Sequence, residues 1–240
     1  MEPVVEFKNI SKTFSRNDRE NTEALSDVSF FVMPGDRFGI LGESGSGKST
    51  LVKVLVGLIA PSAGEIFVYN IKYGKKAEMP RALIGRMQMV FQDPIQSFDP
   101  RRTIGFSIGE GLYNKKVPKS DVYNRVKEEL LACGLPENFA ERYPHQLSGG
   151  QCQRAAIARA LITNPDILIC DEATSSLDVS VQTQIMDLLK SIQERRNITI
   201  IFISHNIPLV QKFCNRGIIL KSGRINGTFE AKSSNLIEYL

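Results

Sequence analysis

Short apolar runs alternate with amphipathic stretches along most of the chain. The runs at Arg37–Leu41, Ile167–Cys170 and Thr199–Ile203 predict buried strands. Apolar residues at helical spacing predict helices with one buried face at Leu51–Leu58 and Val181–Ile192. Strands that alternate with helices in this way predict an α/β core with a mainly parallel sheet.

A different texture begins at Asp93 and lasts to about Gly134. Prolines and glycines interrupt its first part, and Val122, Val126 and Leu130 then form a helical stripe. We therefore expect an inserted helical region here rather than more sheet. Shorter elements complete the pattern, namely strands at Glu65–Tyr69 and Gln88–Phe91, a helix at Ala155–Leu161 and a hairpin near Ile218–Ile225.

Composition narrows the possible classes of protein. Of 240 residues, 42% are hydrophobic and 23% are charged, which excludes disordered, collagen-like and coiled-coil proteins. The net charge of +4 is mild and the basic residues are scattered, so nucleic acid is not an indicated partner. Because no apolar stretch reaches the roughly 18 residues of a membrane-spanning helix, we expect any membrane role to come through partners.

The N-terminus and the cysteines predict no special processing. Val4–Phe7 is typical of a strand opening, so no signal peptide is expected. The cysteines are widely spaced, without a Cys-x-x-Cys pair, and predict reduced thiols rather than a structural metal site; they are Cys133, Cys152, Cys170 and Cys214.

A glycine-rich motif lies between the first predicted buried strand and the next predicted helix. Its pattern is G-x-x-x-x-G-K-[ST], in which glycines let backbone N–H groups point at phosphate oxygens. Lys48 adds a positive charge for the β- and γ-phosphates, and the Ser49 hydroxyl is a ligand type that Mg²⁺ prefers. We predict that the chain binds ATP or GTP with Mg²⁺ at Gly42, Glu43, Ser44, Gly45, Ser46, Gly47, Lys48, Ser49 and Thr50.

Two carboxylates follow the strand predicted at Ile167–Cys170. A carboxylate at the carboxyl end of such a strand lies near the nucleotide crevice of an α/β sheet. Asp171 is predicted to hold Mg²⁺, directly or through water, and Glu172 to polarise the attacking water as a general base. Since two exposed acids at a strand end are common, this prediction depends on the glycine-rich motif.

The segment Leu147–Gln151 reads LSGGQ and resembles the signature motif of the ABC ATPases. A serine hydroxyl and glycine N–H groups at a helix start make an anion-binding end. In that family the signature closes on the γ-phosphate of the nucleotide held by a partner subunit. The resemblance therefore assigns that role to Ser148, Gly149, Gly150 and Gln151.

Further positions resemble the family's site residues in the same order along the chain. Gln92 matches the glutamine that touches Mg²⁺ and the attacking water, and His205 matches the histidine that contacts the γ-phosphate. Ser176 and Asp178 match the D-loop, which lies across the dimer. Phe14 matches an aromatic residue that stacks on adenine, although a phenylalanine there is also consistent with core packing.

The resemblance covers about Val4 to Gly227 and implies one ATP-binding cassette over residues 1–240. The implied fold is a P-loop ATPase core with a mainly parallel sheet, an antiparallel β subdomain and an inserted α-helical subdomain. We expect the core at 1–92 and 155–240 and the helical subdomain at about 93–154.

Two segments resemble the peptide and nickel importer branch of the family, Phe91–Arg101 and Arg142–Gln146. Many peptide-importer ATPases carry a C-terminal extension with cysteines. The sequence up to Leu240 shows none, from which a similarity to the shorter nickel or metallophore members is expected. Cys152 and Asn206 depart from the residues that the family usually has there. Neither departure removes a catalytic group, so ATP hydrolysis is still expected.

The resemblance implies the motor subunit of an importer. Two cassettes would face each other head to tail and drive two permease subunits, which work with an extracellular or periplasmic substrate-binding protein. The branch generally pairs two different ATPases, which favours a heterodimer at the cytoplasmic face of the membrane. Alternatives are a soluble ABC ATPase in translation or DNA repair, a non-hydrolysing regulatory cassette and an exporter motor. Peptides, nickel and a metal–chelator complex all stay open as substrates.

Overall fold

The computed structural model describes residues 2–16, 19–74, 78–173 and 177–230. The chain divides into two compact units, one formed by Met1–Ile84 with Thr199–Leu240 and the other by Gly85–Ile198. We call them the first and the second unit. Within the described ranges, no helix is both long and apolar enough to cross a membrane.

The chain passes through the first unit, then the second, and returns to the first. The strands are β1 (Val5–Arg16), β2 (Arg19–Val32), β3 (Arg37–Leu41), β4 (Ala63–Val68), β5 (Ile71–Tyr73), β6 (Met87–Val90), β7 (Ile167–Asp171), β8 (Thr199–Ser204), β9 (Arg216–Lys221) and β10 (Arg224–Glu230). The helices are α1 (Lys48–Leu55), α2 (Ile104–Asn114), α3 (Lys119–Ala132), α4 (Gly149–Leu161), α5 (Val179–Arg196) and α6 (Ile207–Phe213). Short 3-10 turns lie at Arg81–Leu83, Glu137–Glu141 and Pro144–Gln146.

Two sheets form the body of the first unit. Strands β2, β1, β4 and β5 form an antiparallel sheet in that order, and β10, β9, β3 and β8 are neighbours in a mixed sheet. Strand β3 runs parallel to both β8 and β9. Its residues Phe38–Leu41 are all buried, on both faces of the strand, which is why the strand is an apolar run. The sheets meet at a stack of rings, in which Phe30 lies 4.7 Å from Phe7 and 5.4 Å from Phe38.

The described residues of the second unit form a parallel strand pair and the four helices α2 to α5. Strands β6 and β7 pair with Val90 opposite Cys170. Helices α2, α3 and α4 pack on one another, and α4 also contacts β6 and α5. An ion pair between Arg196 and Glu129, 2.7 Å apart, fastens the end of α5 to α3.

Helix α2 was not predicted, because glycines interrupt its sequence. They occur where neighbouring elements come close: a Cβ at Gly109 would lie 2.6 Å from Val122 Cγ1, and one at Gly105 would lie 2.8 Å from the Ala140 carbonyl. Thr103 caps the helix by accepting a hydrogen bond from the Phe106 N–H. The glycines thus permit close packing and do not end the helix.

Other predicted elements differ mainly at their ends. Helix α1 ends at Leu55 rather than at Leu58, because Gly57 takes a left-handed φ of 70° and the Leu58 N–H bonds back to the Lys53 carbonyl. Helix α4 begins at Gly149, six residues before the predicted start. The bounds proposed for the helical subdomain, about 93 and 154, stay a prediction, with α2 and α3 lying between them.

Candidate functional site

The glycine-rich loop leaves β3 at Leu41 and enters α1 at Lys48. Gly45 and Gly47 have φ values of 81° and 106°, which only glycine adopts without strain. A Cβ at Gly47 would also lie 2.6 Å from the Ala24 carbonyl. The motif glycines are therefore required by the curl of the backbone and by its contact with β2.

Two polar side chains of the loop are arranged for an anion. Lys48 is buried, and its Nζ donates to the carbonyls of Gly42 (2.7 Å) and Glu43 (2.8 Å). The hydroxyl of Ser46 is also buried and has no hydrogen-bond partner among the described residues. A buried hydroxyl without a partner is costly unless a ligand satisfies it. The residues present fit a phosphate group.

The remaining loop positions are more accessible. Glu43, Ser44 and Ser49 are exposed and Thr50 is half-buried, with the last two on the first turn of α1. The backbone N–H groups of this turn have no acceptor within the helix and carry its positive dipole end. Ser49 therefore stands at a solvent-open position beside the part of the loop that suits phosphate.

The structure places His205 at the same sheet edge as this loop. In the parallel pair of β3 and β8, Leu41 lies opposite Ser204, so Gly42 and His205 are the next residues of the two strands. His205 is exposed. Asn206 then caps α6 by accepting from the Leu209 N–H at 3.2 Å, which explains why asparagine is tolerated there.

Phe14 lies on β1, also in the first unit, and 42% of its surface is exposed. Its ring has Lys12 Nζ 5.2 Å from its centroid, and it is not part of the buried core. Of the two readings of this residue, core packing is therefore wrong. Adenine stacking stays a prediction.

Gln92, Asp171 and Glu172 come together in the second unit. Val90 lies opposite Cys170 in parallel strands. Gln92 comes two residues after Val90, and Glu172 comes two residues after Cys170, so the two occupy matching positions at the strand ends. Glu172 has a φ of 46°, an uncommon conformation for a non-glycine residue. Backbone strain of this kind clusters at active sites. The strand ends thus place the predicted base at the same edge as two of the predicted Mg²⁺ ligands, Gln92 and Asp171.

The signature segment forms the N-terminus of α4. The Ser148 hydroxyl accepts from the Gln151 N–H at 3.3 Å, and the Gln151 side chain accepts from the Ser148 N–H at 2.9 Å. This capping box leaves the N–H groups of Gly149 and Gly150 as the helix-terminal donors. A Cβ at Gly150 would lie 2.7 Å from Val181 Cγ1, so this glycine also permits contact with α5.

Asp178 is the N-cap of α5. Its Oδ1 accepts from the Val181 N–H at 2.9 Å and from the Ser180 hydroxyl at 2.7 Å. The bond from the Val181 N–H, and to a lesser extent the bond from the Ser180 hydroxyl, lowers the pKa of the Asp178 carboxyl. Asp178 therefore has a local structural role, and its role across a dimer stays a prediction. Ser176 lies outside the described residues.

The contacts made by two residues of α4, Cys152 and Arg159, are visible only in the structure. Cys152 is fully buried, its Sγ lies 3.6 Å from the Pro144 carbonyl, and burial raises its thiol pKa, so it is an inert packing residue. Arg159 bonds to the segment that follows Gln92. The only sequence signal for Arg159 is an arginine within an alanine-rich apolar stretch, which is weak.

Known proteins are similar in sequence to this chain over most of its length. The ABC transporter family model matches residues 25–175. The oligopeptide transport ATP-binding protein OppF of Salmonella typhimurium is 41% identical over 204 residues, covering 84% of this chain and 61% of that protein. The oligopeptide transport ATP-binding protein AmiF of Streptococcus pneumoniae is 39% identical over 228 residues, covering 93% and 74%. The chain thus spans only part of the length of these relatives.

Solved structures share the fold. The ATP-binding cassette MJ0796, described as dimeric and bound to ADP and Pi after hydrolysis, aligns with a TM-score of 0.84 at 33% identity, covering 96% of this chain and 100% of that one. A cbiO1 protein of Clostridium perfringens, described as part of an ABC transporter complex, aligns with a TM-score of 0.83 at 30% identity, covering 97% and 90%.

These alignments confirm the predicted α/β fold of a P-loop ABC ATPase. The dimer described for MJ0796 is a dimer of one cassette and gives no support to the heterodimer favoured from the sequence. With a family match over residues 25–175 and relatives about 40% identical along most of its length, the chain belongs to the ABC transporter family, as an ATP-binding cassette.

Proposed function

We propose that the chain is the ATP-hydrolysing motor subunit of an ABC importer for peptides. The observation that carries ATP binding is the phosphate loop, in which Lys48 is buried and the Ser46 hydroxyl finds no hydrogen-bond partner in the described part of the chain. The similarity to proteins named oligopeptide transport ATP-binding proteins supports the importer role and the substrate class. It gives no support to nickel or a metal–chelator complex.

Phosphate binding follows from the loop itself. Lys48 would exchange its two carbonyl acceptors for phosphate oxygens, which form stronger, charge-assisted hydrogen bonds. The Ser46 hydroxyl would donate to the same group, and the exposed Phe14 ring offers a surface for adenine. Mg²⁺ bound by Ser49, Gln92 and Asp171 would neutralise charge on the β- and γ-phosphates.

Hydrolysis needs a base near the attacking water. Glu172 follows β7 directly at its carboxyl end and has a strained backbone conformation, and we assign it this role. Gln92, at the matching position after β6, would orient the water, and His205 would contact the γ-phosphate. Little covalent chemistry is required, because phosphoryl transfer depends mainly on positioning and electrostatics.

The signature residues would serve a second copy of the cassette. Helix-terminal N–H groups at Gly149 and Gly150, with Ser148, suit a phosphate oxygen presented from outside. The dimeric state described for MJ0796 supports a pair of cassettes. As the family resemblance implies, the two copies would lie head to tail, with one ATP between each loop and the facing signature and with Asp178 at the interface. ATP would favour the closed pair because it contacts both subunits only there.

Closure of this pair would be transmitted to two permease subunits, which receive substrate from an extracellular or periplasmic binding protein. The chain would then act as a peripheral protein on the cytoplasmic face of the membrane. A role in translation, DNA repair or export is less supported, since the named relatives are oligopeptide transport proteins.

The function is tested by Glu172→Gln. Loss of the base should lower ATP turnover by a factor of about 10²–10⁴ while ATP binding is retained. Glu128→Gln, on the exposed side of α3, is the matched control and should hydrolyse ATP like the wild type. Unchanged turnover in Glu172→Gln would reject the assignment of the base. Stimulation of the reconstituted transporter by nickel alone, and not by peptides, would reject the substrate class.

A further inference from the structure

A short segment connects Gln92 to α2, and local hydrogen bonds give it a fixed shape. Asp93 Oδ1 accepts from the N–H groups of Ile95 (3.0 Å) and Gln96 (3.1 Å). The Ser97 hydroxyl donates to the Pro94 carbonyl at 2.7 Å. We call residues 93–98 the post-Gln92 turn. Because these bonds connect residues within the turn, we expect Ser97 and the rest of the turn to move together.

Arg159 of α4 holds this turn. Its Nη1 donates to the Ser97 carbonyl at 2.5 Å and its Nη2 to the Ser97 hydroxyl at 3.0 Å. Its Cζ also lies 4.5 Å from the centre of the buried Phe98 ring. Burial lowers the pKa of the guanidinium, against the opposite effect of Glu110 on α2. The cation is thus partly desolvated, which strengthens its hydrogen bonds.

The same helix carries the signature at its other end. Ser148 caps α4, and Arg159 lies near its C-terminus, so one rigid helix of 13 residues, about 20 Å long, joins the two. A continuous set of contacts therefore connects the signature end of α4, through Arg159 and Ser97, to the post-Gln92 turn. Phe91 and Ile95, which flank Gln92, are 47% and 50% exposed, so the outer side of this segment is open to contacts.

We propose that Arg159 is a positioning residue for hydrolysis, which couples the signature helix to Gln92 by clamping Ser97. The proposal rests on the proposed function, because the position of Gln92 matters only if the chain hydrolyses ATP. Lysine cannot replace the clamp, since one ammonium cannot reproduce the planar fork that bonds the carbonyl and the hydroxyl together.

The chain offers a matched control on the same helix. Arg154 donates to the Cys133 carbonyl at 3.0 Å and to Gln184 Oε1 at 3.3 Å, and so makes the same kinds of bonds to other elements. Arg154→Lys removes a comparable two-pronged contact without touching the post-Gln92 turn. A purely structural role for Arg159 predicts that the two lysine variants behave alike.

The test compares Arg159→Lys, Ser97→Ala, their combination and Arg154→Lys in the full-length chain, by steady-state ATP hydrolysis, equilibrium ATP binding and thermal unfolding. We expect Arg159→Lys to lower kcat about tenfold, with KM and ATP affinity unchanged, and Arg154→Lys to keep the wild-type kcat. Ser97→Ala removes the hydroxyl bond to Arg159 and the bond to Pro94 but keeps the carbonyl bond, so it should lower kcat by less than Arg159→Lys does. The loss in the combination should be smaller than the product of the two single losses, since both changes act on the contact between Arg159 and Ser97.

Three results would overturn the inference: a wild-type kcat in Arg159→Lys or in Ser97→Ala, an equal loss of kcat in Arg154→Lys, or losses that multiply in the combination. A wild-type chain that binds ATP but never turns it over would contradict the proposed function itself. That outcome is distinct, because it appears before any variant is compared.

Discussion

Atoms of the surrounding fold hold Lys48 and Glu172 in place. The Lys48 Nζ donates to the carbonyls of Gly42 and Glu43, and Glu172 has a left-handed backbone at the end of β7. Backbone strain of this kind is typical of functional residues. The same dependence on neighbouring atoms applies to the glycines of the signature.

The size of the side chain at position 150 is limited by one atom of Val181. We predict that Gly150→Ala destabilises the protein by about 1–3 kcal/mol, because the added Cβ would lie 2.7 Å from Val181 Cγ1 and must displace it. The measurement is the free energy of unfolding in urea. Adding Val181→Ala should recover part of the loss, since it removes the clashing methyl groups.

Gly149→Ala is the control for this change. Its nearest contact would be Leu177 Cδ2 at 3.5 Å, an ordinary van der Waals distance, so we expect little change in stability. Equal stability of the two alanine variants would show that the approach of α4 to α5 is looser than the structure has it.

Secondary structure elements were predictable where one periodicity dominates. Strands β3, β7 and β8 were predicted because parallel strands covered on both faces are continuous apolar runs. Helix α2 was not, because the reason for its glycines is the proximity of other elements, which sequence spacing does not express. Elements whose sequence is set by packing partners are therefore the ones that local patterns miss.

The ion pair that joins α5 to α3 leads to a prediction about pH. Burial raises the pKa of Glu129, and the nearby cations Arg196, Arg125 and Arg195 act in the opposite direction. Without Arg196 the pKa of Glu129 should rise further. At pH values between the unfolded and the folded pKa of Glu129, the folded state then binds more protons than the unfolded state. The free energy of unfolding therefore falls as pH rises through this range.

We therefore expect Arg196→Met to cost about 3–5 kcal/mol at pH 7, where it leaves a buried carboxylate without its main partner. The loss should be smaller at pH 5, where protonation removes part of the penalty. Urea unfolding at both pH values measures it. The control is Glu129→Gln with Arg196→Met, in which the extra pH dependence should vanish. A loss of the same size at both pH values in Arg196→Met would contradict the assignment.

At the scale of the whole molecule, parallel strand order explains why site residues that were identified separately lie side by side. Gln92 and His205 were assigned by family resemblance, and Glu172 by its position after a predicted strand. Residues that follow neighbouring parallel strands share an edge, as Gly42 and His205 do in the first unit and Gln92 and Glu172 do in the second. The signature at Leu147–Gln151 does not follow a strand next to β3, so strand order does not link it to the phosphate loop of the same chain. Its assignment to the nucleotide of another copy came from family resemblance. That assignment is the step that most needs a direct test.

Mixing two inactive variants provides this test. Lys48→Ala disables the phosphate loop and Ser148→Arg disables the signature, so each variant alone should lose ATP turnover. In a head-to-tail pair of one copy of each, both lesions fall in one site and the other site is intact. Random pairing then predicts about a quarter of the wild-type turnover for an equal mixture, if the sites act independently. Steady-state hydrolysis measured against the mixing ratio should peak at equality. A mixture that stays as inactive as its components would reject the proposed homodimer with two independently acting sites.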